Sequence, residues 1–398
     1  MDPAKPSLEL LRSLTDEHVL RALMETHQLT RAELAAQTGI SKPTVGESVR
    51  RLAEAGLVAD TGERTRGGRG RGRVGSYYAL APGVGVALAA SIAPEGIVAE
   101  CVDVYGEVVS RAERTTGNPA RPDEVSRALG SAVLAAGRGQ GVRLAVVSAA
   151  DPVDRGTGRL VHLPDSPFLI GELDPVTVLA PHVDGPVIVD NDVNWAALAE
   201  RDAAQASGGA GQASGGAGQA AGVGGSLTDF GYVFLGEGLG GAIVSGGEVT
   251  RGHTGLAGEL AHLITLGPQQ RAMPFVAVFG ELGLRQAGSS AIDTGRLLGA
   301  VTGPEPQAGA LREAIGQAVS GVVAAMASLT DPQVVIVGGP WGSHPVILGA
   351  ITAALAARPR RVALRAASVT VEPSLTGARG DAIRRLRSAI ASASGVAG

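Results

Sequence analysis

The sequence of 398 residues contains a single cysteine, Cys101, and aromatic residues make up only 3% of it. One thiol excludes a disulfide framework and any metal site built from several thiolates. The low aromatic content argues against a base-stacking platform for single-stranded nucleic acid. There is no run of about 18 apolar residues, so we expect no membrane-spanning helix. The charged, proline-containing N-terminus lacks the apolar core of a signal peptide.

Hydrophobic residues account for 44% of the chain and charged residues for 18%, which predicts a globular protein of two or three domains. The net charge is −4, but residues 1–80 carry twelve Lys and Arg against ten Asp and Glu. Residues 64–73 hold five arginines and no acid. A basic segment beside an acidic body predicts a local contact with a polyanion.

Residues 15–54 predict three short helices. The first starts near Thr15, and Thr30 with Glu33 fits a capping box at the start of the second. Ser41 is predicted to cap the third, which runs to about Glu54. Two strands follow, at 57–59 and 76–80, with the Gly/Arg-rich loop between them.

Helix, glycine-containing turn, helix and hairpin together predict a winged helix-turn-helix domain over residues 1–82, with double-stranded DNA as partner. The third helix would enter the major groove and the Arg-rich loop would be the wing. A helical bundle without DNA and a solvated loop are the alternatives. Predicted DNA contacts are Arg31, Ser41, Lys42, Thr44, Ser48, Arg50, Arg51, Arg66, Arg69, Arg71 and Arg73.

From residue 83 onward, the pattern alternates between strands and helices, which predicts an α/β body. Predicted helices lie at 122–136, 194–204, 255–261 and 310–329. Residues 205–225 nearly repeat a seven-residue unit, Gln-Ala-Ser-Gly-Gly-Ala-Gly, and predict a flexible surface loop.

The string GHTGLAGELAH at residues 252–262 resembles the Gly-His-x-Gly-x-Ala-Gly-Glu-x-Gly-His element of the ROK family, which contains repressors and sugar kinases. The preceding domain is similar to that of the family's regulator branch. The resemblance covers residues 15–390 apart from the repeat. Further family-like elements are an Asn-Asp-x-Asn motif at 187–194, a glycine loop at 236–241, a strand with diglycine at 334–339 and an Asp-Pro-Val-Asp loop ending the segment 146–154.

This resemblance implies a two-lobed, actin-like ATPase fold over residues 83–398 with a sugar in the cleft. The first lobe would span about 83–190, the second about 191–375, and a C-terminal helix 376–392. In the family's kinases, the Asp of the Asn-Asp pair is the general base on the sugar hydroxyl. The residues implied to bind the ligand are Asn191, Asp192, Glu259, His262 and, by an ungapped count, Glu281. Glu259 and His262 are expected on one helical turn.

Three departures from the family's kinases predict a body that does not catalyse phosphoryl transfer. The phosphate-binding Asp-x-Gly-Gly-Thr of those kinases corresponds to residues 91–95, where Pro94 removes an amide donor. Glu95 and Glu237 replace two threonines that would face phosphate, and a carboxylate repels an anion. The family's zinc motif corresponds to 272–279, which contains no thiolate, so we expect no zinc.

The sequence therefore predicts a cytoplasmic transcriptional regulator, more specifically a repressor, with no catalytic residues, cofactor or bound metal. Its expected partners are double-stranded DNA, a sugar or sugar-phosphate effector, and further copies of itself in a homodimer or homotetramer; no membrane is expected. Two alternatives stay open. In one, the body no longer binds sugar and only dimerises, as the lost zinc motif suggests. In the other, the chain is a sugar kinase with a fused DNA-binding domain.

Overall fold

The computed structural model describes residues 8–65, 75–163, 167–169, 171–211 and 226–393. The helices are α1 Leu8–Thr26, α2 Arg31–Thr38, α3 Lys42–Glu54, α4 Pro122–Ala136, α5 Pro175–Leu179, α6 Asp192–Gly211, α7 Phe275–Glu281, α8 Thr294–Thr302, α9 Pro306–Thr330, α10 Pro345–Ala356 and α11 Pro373–Ala393. The strands are β1 Gln28–Thr30, β2 Val58–Arg64, β3 Ser76–Leu80, β4 Val86–Ala93, β5 Gly96–Val102, β6 Val108–Arg114, β7 Val142–Ala149, β8 Val187–Asn191, β9 Phe230–Leu235, β10 Leu239–Ser245, β11 Glu248–Val249, β12 Ile264–Leu266, β13 Ala272–Pro274, β14 Val334–Gly338 and β15 Leu364–Ala366.

The N-terminal domain is a three-helix bundle with a small sheet, as the sequence predicts. The capping box is confirmed: the Thr30 hydroxyl accepts from the Glu33 amide, and the Glu33 carboxylate accepts from the Thr30 amide. Ser41 caps α3 as predicted. The expected helix start at Thr15 is wrong, because α1 already begins at Leu8. The Thr15 hydroxyl instead donates to the carbonyl of Leu11 inside the helix.

The hairpin forms a three-stranded sheet in the order β1-β3-β2, because the segment between α1 and α2 adds the short antiparallel strand β1. Nothing in the sequence pattern had indicated this third strand. Residues 66–74 lie outside the described residues, and with them the predicted wing contacts Arg66, Arg69, Arg71 and Arg73.

Two five-stranded sheets of equivalent topology form the two lobes of the body. The first has the order β6-β5-β4-β7-β8 and the second β11-β10-β9-β14-β15. In each sheet, the first three strands along the chain are antiparallel neighbours, and the first of them is central. The last two strands run parallel to this central strand. The expected two-lobed α/β architecture is confirmed, and the C-terminal ends of the parallel strands point to the space between the lobes.

The last helix, α11, returns to the first lobe and packs against β4, β7, α6 and α1. It begins at Pro373, slightly earlier than the expected 376. A Cβ on Gly377 would lie 1.9 Å from the carbonyl oxygen of Trp195, so α11 and α6 cross backbone to backbone. Leu386 and Ile390 of α11 share one buried cluster with Leu20 of α1. The C-terminal helix thus connects the body to the DNA-binding domain.

Two predicted boundaries around the repeat need correction. Helix α6 does not end at residue 204 but continues to Gly211, so the first copy of the repeat, 205–211, is helical rather than a loop. Its glutamine and two alanines favour the helix, whereas each of its three glycines costs about 1 kcal/mol relative to alanine; elongation of an existing helix needs no new nucleation. The remaining copies, 212–225, lie outside the described residues.

One helix within the described ranges, α9, is long and apolar enough to cross a membrane by length and composition alone. Its residues Ile315, Val319 and Val322 are fully buried in the core of the second lobe. This is the pattern of a central core helix in a packed α/β lobe.

Candidate functional site

A cleft of about 1150 Å³ separates the two lobes, and both lobes contribute its walls. Four of the five residues implied to bind ligand, namely Asn191, Asp192, Glu259 and His262, line it. The fifth, Glu281, does not. It lies exposed at the end of α7 and forms an ion pair with Arg271, with 2.7 Å between the charged atoms.

Asn191 and Asp192 lie where β8 passes into α6. The side-chain amide of Asn191 donates to the carbonyls of Ala149 and Asp151, at the end of the neighbouring strand β7. Its side-chain oxygen accepts from the amide of Val193. These hydrogen bonds occupy the side-chain amide and oxygen of Asn191 and hold the end of β8 against the end of β7. The next residue, Asp192, lines the cleft.

Two of the cleft carboxylates are unusually basic. The pKa of Asp192 is raised to about 7, chiefly by burial and also by the negative charges of Asp151, Glu259 and Glu95, against the opposing backbone hydrogen bond from Val193. Burial, followed by the charge of Asp151, raises the pKa of Glu259 to about 7 as well. A carboxyl group with a pKa near neutrality can either accept or donate a hydrogen bond to a sugar hydroxyl.

The segment 252–262 is an irregular loop, so the helix predicted at 255–261 is wrong. Gly252, Gly255 and Gly258 have φ values of +73°, +104° and +101°, a left-handed conformation that a right-handed helix cannot contain. The loop is fixed to both lobes. The amide of Arg155 donates to the carbonyl of Thr254, and the amide of Gly241 donates to the carbonyl of Gly258.

Close packing explains why this loop needs glycine. A Cβ on Gly255 would lie 2.2 Å from the carbonyl oxygen of Val153, and one on Gly258 would lie 2.0 Å from that of Gly241. Glu259 and His262 therefore enter the cleft from a loop clamped between the lobes, and not from one face of a helix.

Two further carboxylates line the part of the cleft where the family's phosphate-binding turns would lie. Glu95 is in the turn between β4 and β5, and Glu237 is in the turn between β9 and β10. The side-chain amide of Asn118 donates to Glu237 across 3.3 Å. Neither turn supplies a cationic side chain to this position, and both supply a carboxylate that repels phosphate.

The segment that corresponds to the family's zinc motif does not fit a zinc ion. Residues 272–279 form β13 and α7, and Phe275, Val278 and Phe279 are buried in the second-lobe core. Phe279 packs against Phe275 and Trp341, with ring centroids 5.6 and 5.4 Å away. Within the described ranges, no three His, Cys, Asp or Glu side chains are grouped to hold a metal. The side chains of this segment are therefore used for apolar packing of the second-lobe core.

The first turn of α3 presents predicted DNA contacts that are exposed to solvent. Ser41, Lys42 and Thr44 are exposed, and the two hydroxyls of Ser41 and Thr44 lie 2.7 Å apart. Arg31 is exposed nearby, with its guanidinium 5.0 Å from the ring centroid of Tyr78. These groups share one face at the helix-turn-helix.

Three other predicted contacts are engaged within the domain. Ser48 is fully buried and donates to Asp16 of α1, and Arg51 forms an ion pair with the same carboxylate at 2.5 Å. Both therefore face Asp16 of α1; Ser48 is withdrawn from solvent, whereas the Arg51 side chain stays partly exposed. Arg50 is exposed but paired with Glu47 and Glu54.

The cleft also contains residues that sequence reasoning did not select. Arg111 of β6 forms an ion pair with Glu372, at 2.6 Å, where the chain leaves the second sheet and enters α11. Buried Glu100 binds the same guanidinium and also Arg379. The two ends of the Arg111–Glu372 pair are far apart in sequence, so no local motif could have revealed it.

Comparisons with known proteins agree with the geometry. A family model described as winged helix-turn-helix DNA-binding matches residues 12–59, and the ROK family model matches residues 92–273. The N-acetylmannosamine kinase of Escherichia coli is 27% identical over 316 residues, which are 73% of this chain and 96% of the kinase.

Two solved structures share the fold. One is a ROK family transcriptional regulator described as a homolog of the E. coli MLC protein, with a TM-score of 0.63 and 15% identity over 96% of this chain and 99% of that one. The other is a ROK family glucokinase from Streptomyces griseus in complex with glucose and AMPPNP, with a TM-score of 0.54 and 23% identity over 74% and 98% of the two chains. Because the match to the regulator covers 96% of this chain, it includes the N-terminal domain.

Proposed function

The chain belongs to the ROK family and carries a winged helix-turn-helix domain, and from this premise we propose a transcriptional repressor whose cleft binds a sugar or sugar phosphate without phosphorylating it. The observation that carries the proposal is the exposed first turn of α3, where Ser41, Lys42 and Thr44 lie on the helix that would enter the major groove. The proposed site of action is the cytoplasm.

The proposed effector site is the end of the cleft that contains Asp192, Glu259 and His262. These side chains offer hydrogen-bond acceptors and donors from both walls of the cavity, which suits the adjacent hydroxyls of a sugar. A ligand held by both walls favours the closed form of the two lobes. The shift of the equilibrium between the open and closed forms is set by the difference in the ligand's affinity for them.

A kinase is the second candidate, and the 27% identity with N-acetylmannosamine kinase over 73% of the chain favours it. The carboxylates of Glu95 and Glu237 oppose it, because they line the turns that would have to accept the phosphates of ATP. By its place in the Asn-Asp motif, Asp192 corresponds to the general base of the family's kinases. If ATP does not bind, Asp192 serves only to bind the sugar. We therefore propose binding without catalysis.

The packing offers a route from cleft to DNA. Asp192 is the first residue of α6, α6 packs against α11, and α11 packs against α1 of the DNA-binding domain. In the proposed homodimer or homotetramer, a change in lobe closure would alter the spacing of two α3 helices. Half-sites must lie about one DNA helical turn, or a multiple of it, apart, so such a change alters operator affinity.

The proposal can be tested with the full chain. An operator is first selected from a random duplex library, and its affinity is measured by fluorescence anisotropy with and without each member of a sugar panel. Lys42→Ala is expected to weaken operator binding, whereas Arg127→Ala, which removes one positive charge from exposed α4, leaves it unchanged. If no duplex is enriched, or if Lys42→Ala binds as the unsubstituted protein does, the regulator proposal fails.

A further inference from the structure

The charge of the cleft points to a particular kind of sugar. Among the residues that the structure describes, its walls carry six carboxylates against two guanidinium groups and the imidazole of His262; the carboxylates are those of Glu95, Glu113, Asp192, Glu237, Glu259 and Glu372, and the guanidinium groups those of Arg111 and Arg114. These groups come from both lobes and enclose a cavity large enough for a sugar, so they form the walls of one site and not a surface cluster. A strongly negative cavity concentrates cations and excludes anions.

Both guanidinium groups already have partners. Arg111 forms ion pairs with Glu100, Glu113 and Glu372. Arg114 donates to the hydroxyl of Ser131 and to the carbonyl of Glu113. Arg111 is therefore paired with carboxylates at the side near β6, whereas the partners of Arg114 are a hydroxyl and a carbonyl and leave its charge in place. Even with that charge, the carboxylates of the cleft outnumber its guanidinium groups.

Four carboxylates stay without a cation. No ion pair within the described ranges includes Glu95, Asp192, Glu237 or Glu259. Glu95 is close enough to Asp192 for its negative charge to raise the pKa of the Asp192 carboxyl group. The repulsion among these groups is relieved by protonation or by a bound positive charge.

We propose that the cleft selects a sugar bearing a protonated amino group over the neutral and phosphorylated forms of the same sugar. This inference rests on the proposed function of the cleft as a sugar site and specifies its ligand class. An ammonium group has three donors and no acceptor, which matches a set of acceptor-only carboxylates. Asp192 and Glu259 bind the hydroxyls, and Glu95 and Glu237 supply the negative charge on the side where a kinase would hold phosphate.

The alternative forms of the sugar fit less well. A neutral hexose can bind Asp192 and Glu259 through its hydroxyls, but it brings no positive charge to Glu95 and Glu237. A sugar phosphate places negative charge among them, which costs energy at any effective dielectric constant. An N-acetylated amine loses the charge and also enlarges the substituent. The hexose replaces the ammonium group by a hydroxyl of similar size, so the amino sugar and its hexose separate the effect of charge from that of shape, and the N-acetyl form tests the effect of added size.

The test is isothermal titration calorimetry on the full chain with matched sugars of the gluco, manno and galacto series. Each series contains the hexose, the 2-amino hexose, its N-acetyl form and the hexose 6-phosphate. A charge-assisted hydrogen bond corresponds to about tenfold or more in affinity. We expect the amino sugar of at least one series to bind more tightly than its three relatives by this factor, and the preference to shrink at high salt.

Glu95→Gln and Glu237→Gln are expected to reduce the ratio of amino-sugar to hexose affinity. The control Glu313→Gln makes the same charge change on the exposed face of α9 and should leave the ratio unchanged. A second readout is the proton balance. An ammonium ion favours the charged form of carboxyls with a pKa near 7, so its binding at pH 7 should release protons, seen as a dependence of the binding enthalpy on the buffer.

Each outcome decides a different point. If a hexose or its phosphate binds as tightly as the amino sugar, the inference about charge is overturned while the sugar site stands. If the glutamine variants keep the full preference, the inference is likewise overturned. If no sugar of any series binds, the sugar-binding part of the proposed function fails together with this inference.

Discussion

The imidazole ring of His27 stacks on the phenol ring of Tyr105, with ring centroids 4.1 Å apart and 17° between the ring planes. His27 directly follows the first helix of the DNA-binding domain, and Tyr105 lies in the turn between β5 and β6 of the first lobe. Arg387 of α11 donates to the backbone carbonyls of Val104 and Tyr105, so this turn is also tied to the C-terminal helix. The stacked pair lies where the winged helix-turn-helix domain meets the first lobe of the body.

Replacing His27 by Ala should therefore weaken the coupling between sugar and DNA. We expect the ratio of operator affinities with and without sugar to approach one, while sugar affinity stays the same. A stacked aromatic pair contributes about 0.5–1.5 kcal/mol, so the melting temperature should fall only slightly. Anisotropy and calorimetry on the same preparation measure both quantities. His18→Ala, on the exposed face of the preceding helix, is the control; an unchanged sugar response in the His27 variant would contradict the proposed route.

The salt dependence of DNA binding should distinguish the residues of α3. Lys42→Ala should weaken binding to all duplexes and reduce the slope of log affinity against log salt by about 0.9, as expected when one phosphate is no longer neutralised. Arg51→Ala should leave the slope unchanged and lower the stability of the domain, because its guanidinium pairs with buried Asp16. Equal slopes for the two variants would show that α3 does not lie on DNA as we predict.

The wing carries a separate prediction that rests on sequence. Substituting Arg69, Arg71 and Arg73 by Ala should weaken binding to every duplex and reduce the salt slope by about 0.9 for each phosphate that an arginine had neutralised. The measurement is the same anisotropy titration over a series of salt concentrations. An unchanged slope would mean that the loop is merely solvated.

Cleft variants should lose the response to ligand while retaining DNA binding. Asp192→Ala and Glu259→Ala are each expected to abolish the effect of sugar on operator affinity and to leave ligand-free affinity nearly intact. Glu281→Ala is the matched control, because the structure places this carboxylate outside the cleft beside Arg271. If the Glu281 variant loses the response and the other two keep it, the effector site lies elsewhere.

The raised pKa values of the cleft carboxyls predict a pH dependence of stability. Between the ordinary pKa of Asp and a value of about 7, folded Asp192 binds more protons than the unfolded chain, so stability falls as pH rises through this window. Asp192→Asn should be stabilised relative to the unsubstituted protein at pH 8 more than at pH 5. Melting temperatures at both pH values measure the difference. Asp123→Asn, on exposed α4, should show no such change; a pH-independent difference for Asp192→Asn would refute the burial argument.

Catalysis and metal binding give a direct test against the kinase alternative. We expect no ATP-dependent phosphorylation of any sugar that binds, and less than stoichiometric zinc in the purified protein. The reasons are the carboxylates of Glu95 and Glu237 in the phosphate-binding turns and the apolar residues that replace the zinc ligands. Sugar phosphorylation that disappears in Asp192→Asn, or about one zinc per chain, would overturn the proposal.

Much of the fold follows from the sequence because its signals are local. Helix caps at Thr30 and Ser41, the alternating apolar pattern of the strands and the family-like strings at 187–194 and 252–262 each depend on neighbouring residues. A capping side chain reaches an amide three residues away, and apolar periodicity records which face of a single element is buried. These signals predicted both domains, the α/β class and four cleft residues.

The tertiary structure decided what depends on contacts between distant segments. The stretch at 252–262 looks helical in its spacing, but carbonyls of Val153 and Gly241 from two other segments leave no room for a Cβ at Gly255 and Gly258. Ser48 has the spacing of a DNA contact, yet Asp16 of another helix binds it. An ungapped count placed Glu281 in the cleft, whereas the turns and the short strand before α7 direct it to Arg271.

The charge of the cleft shows the same division. The resemblance of the sequence to the kinase pattern implied that Glu95 and Glu237 stand where that pattern has threonines, which predicts that phosphate is disfavoured. Only the folded chain places them in one cavity with Asp192 and Glu259, because these acids lie on separate segments from both lobes. Electrostatic energy depends on the distance between charges and on the solvent around them, and neither can be read from positions along a chain.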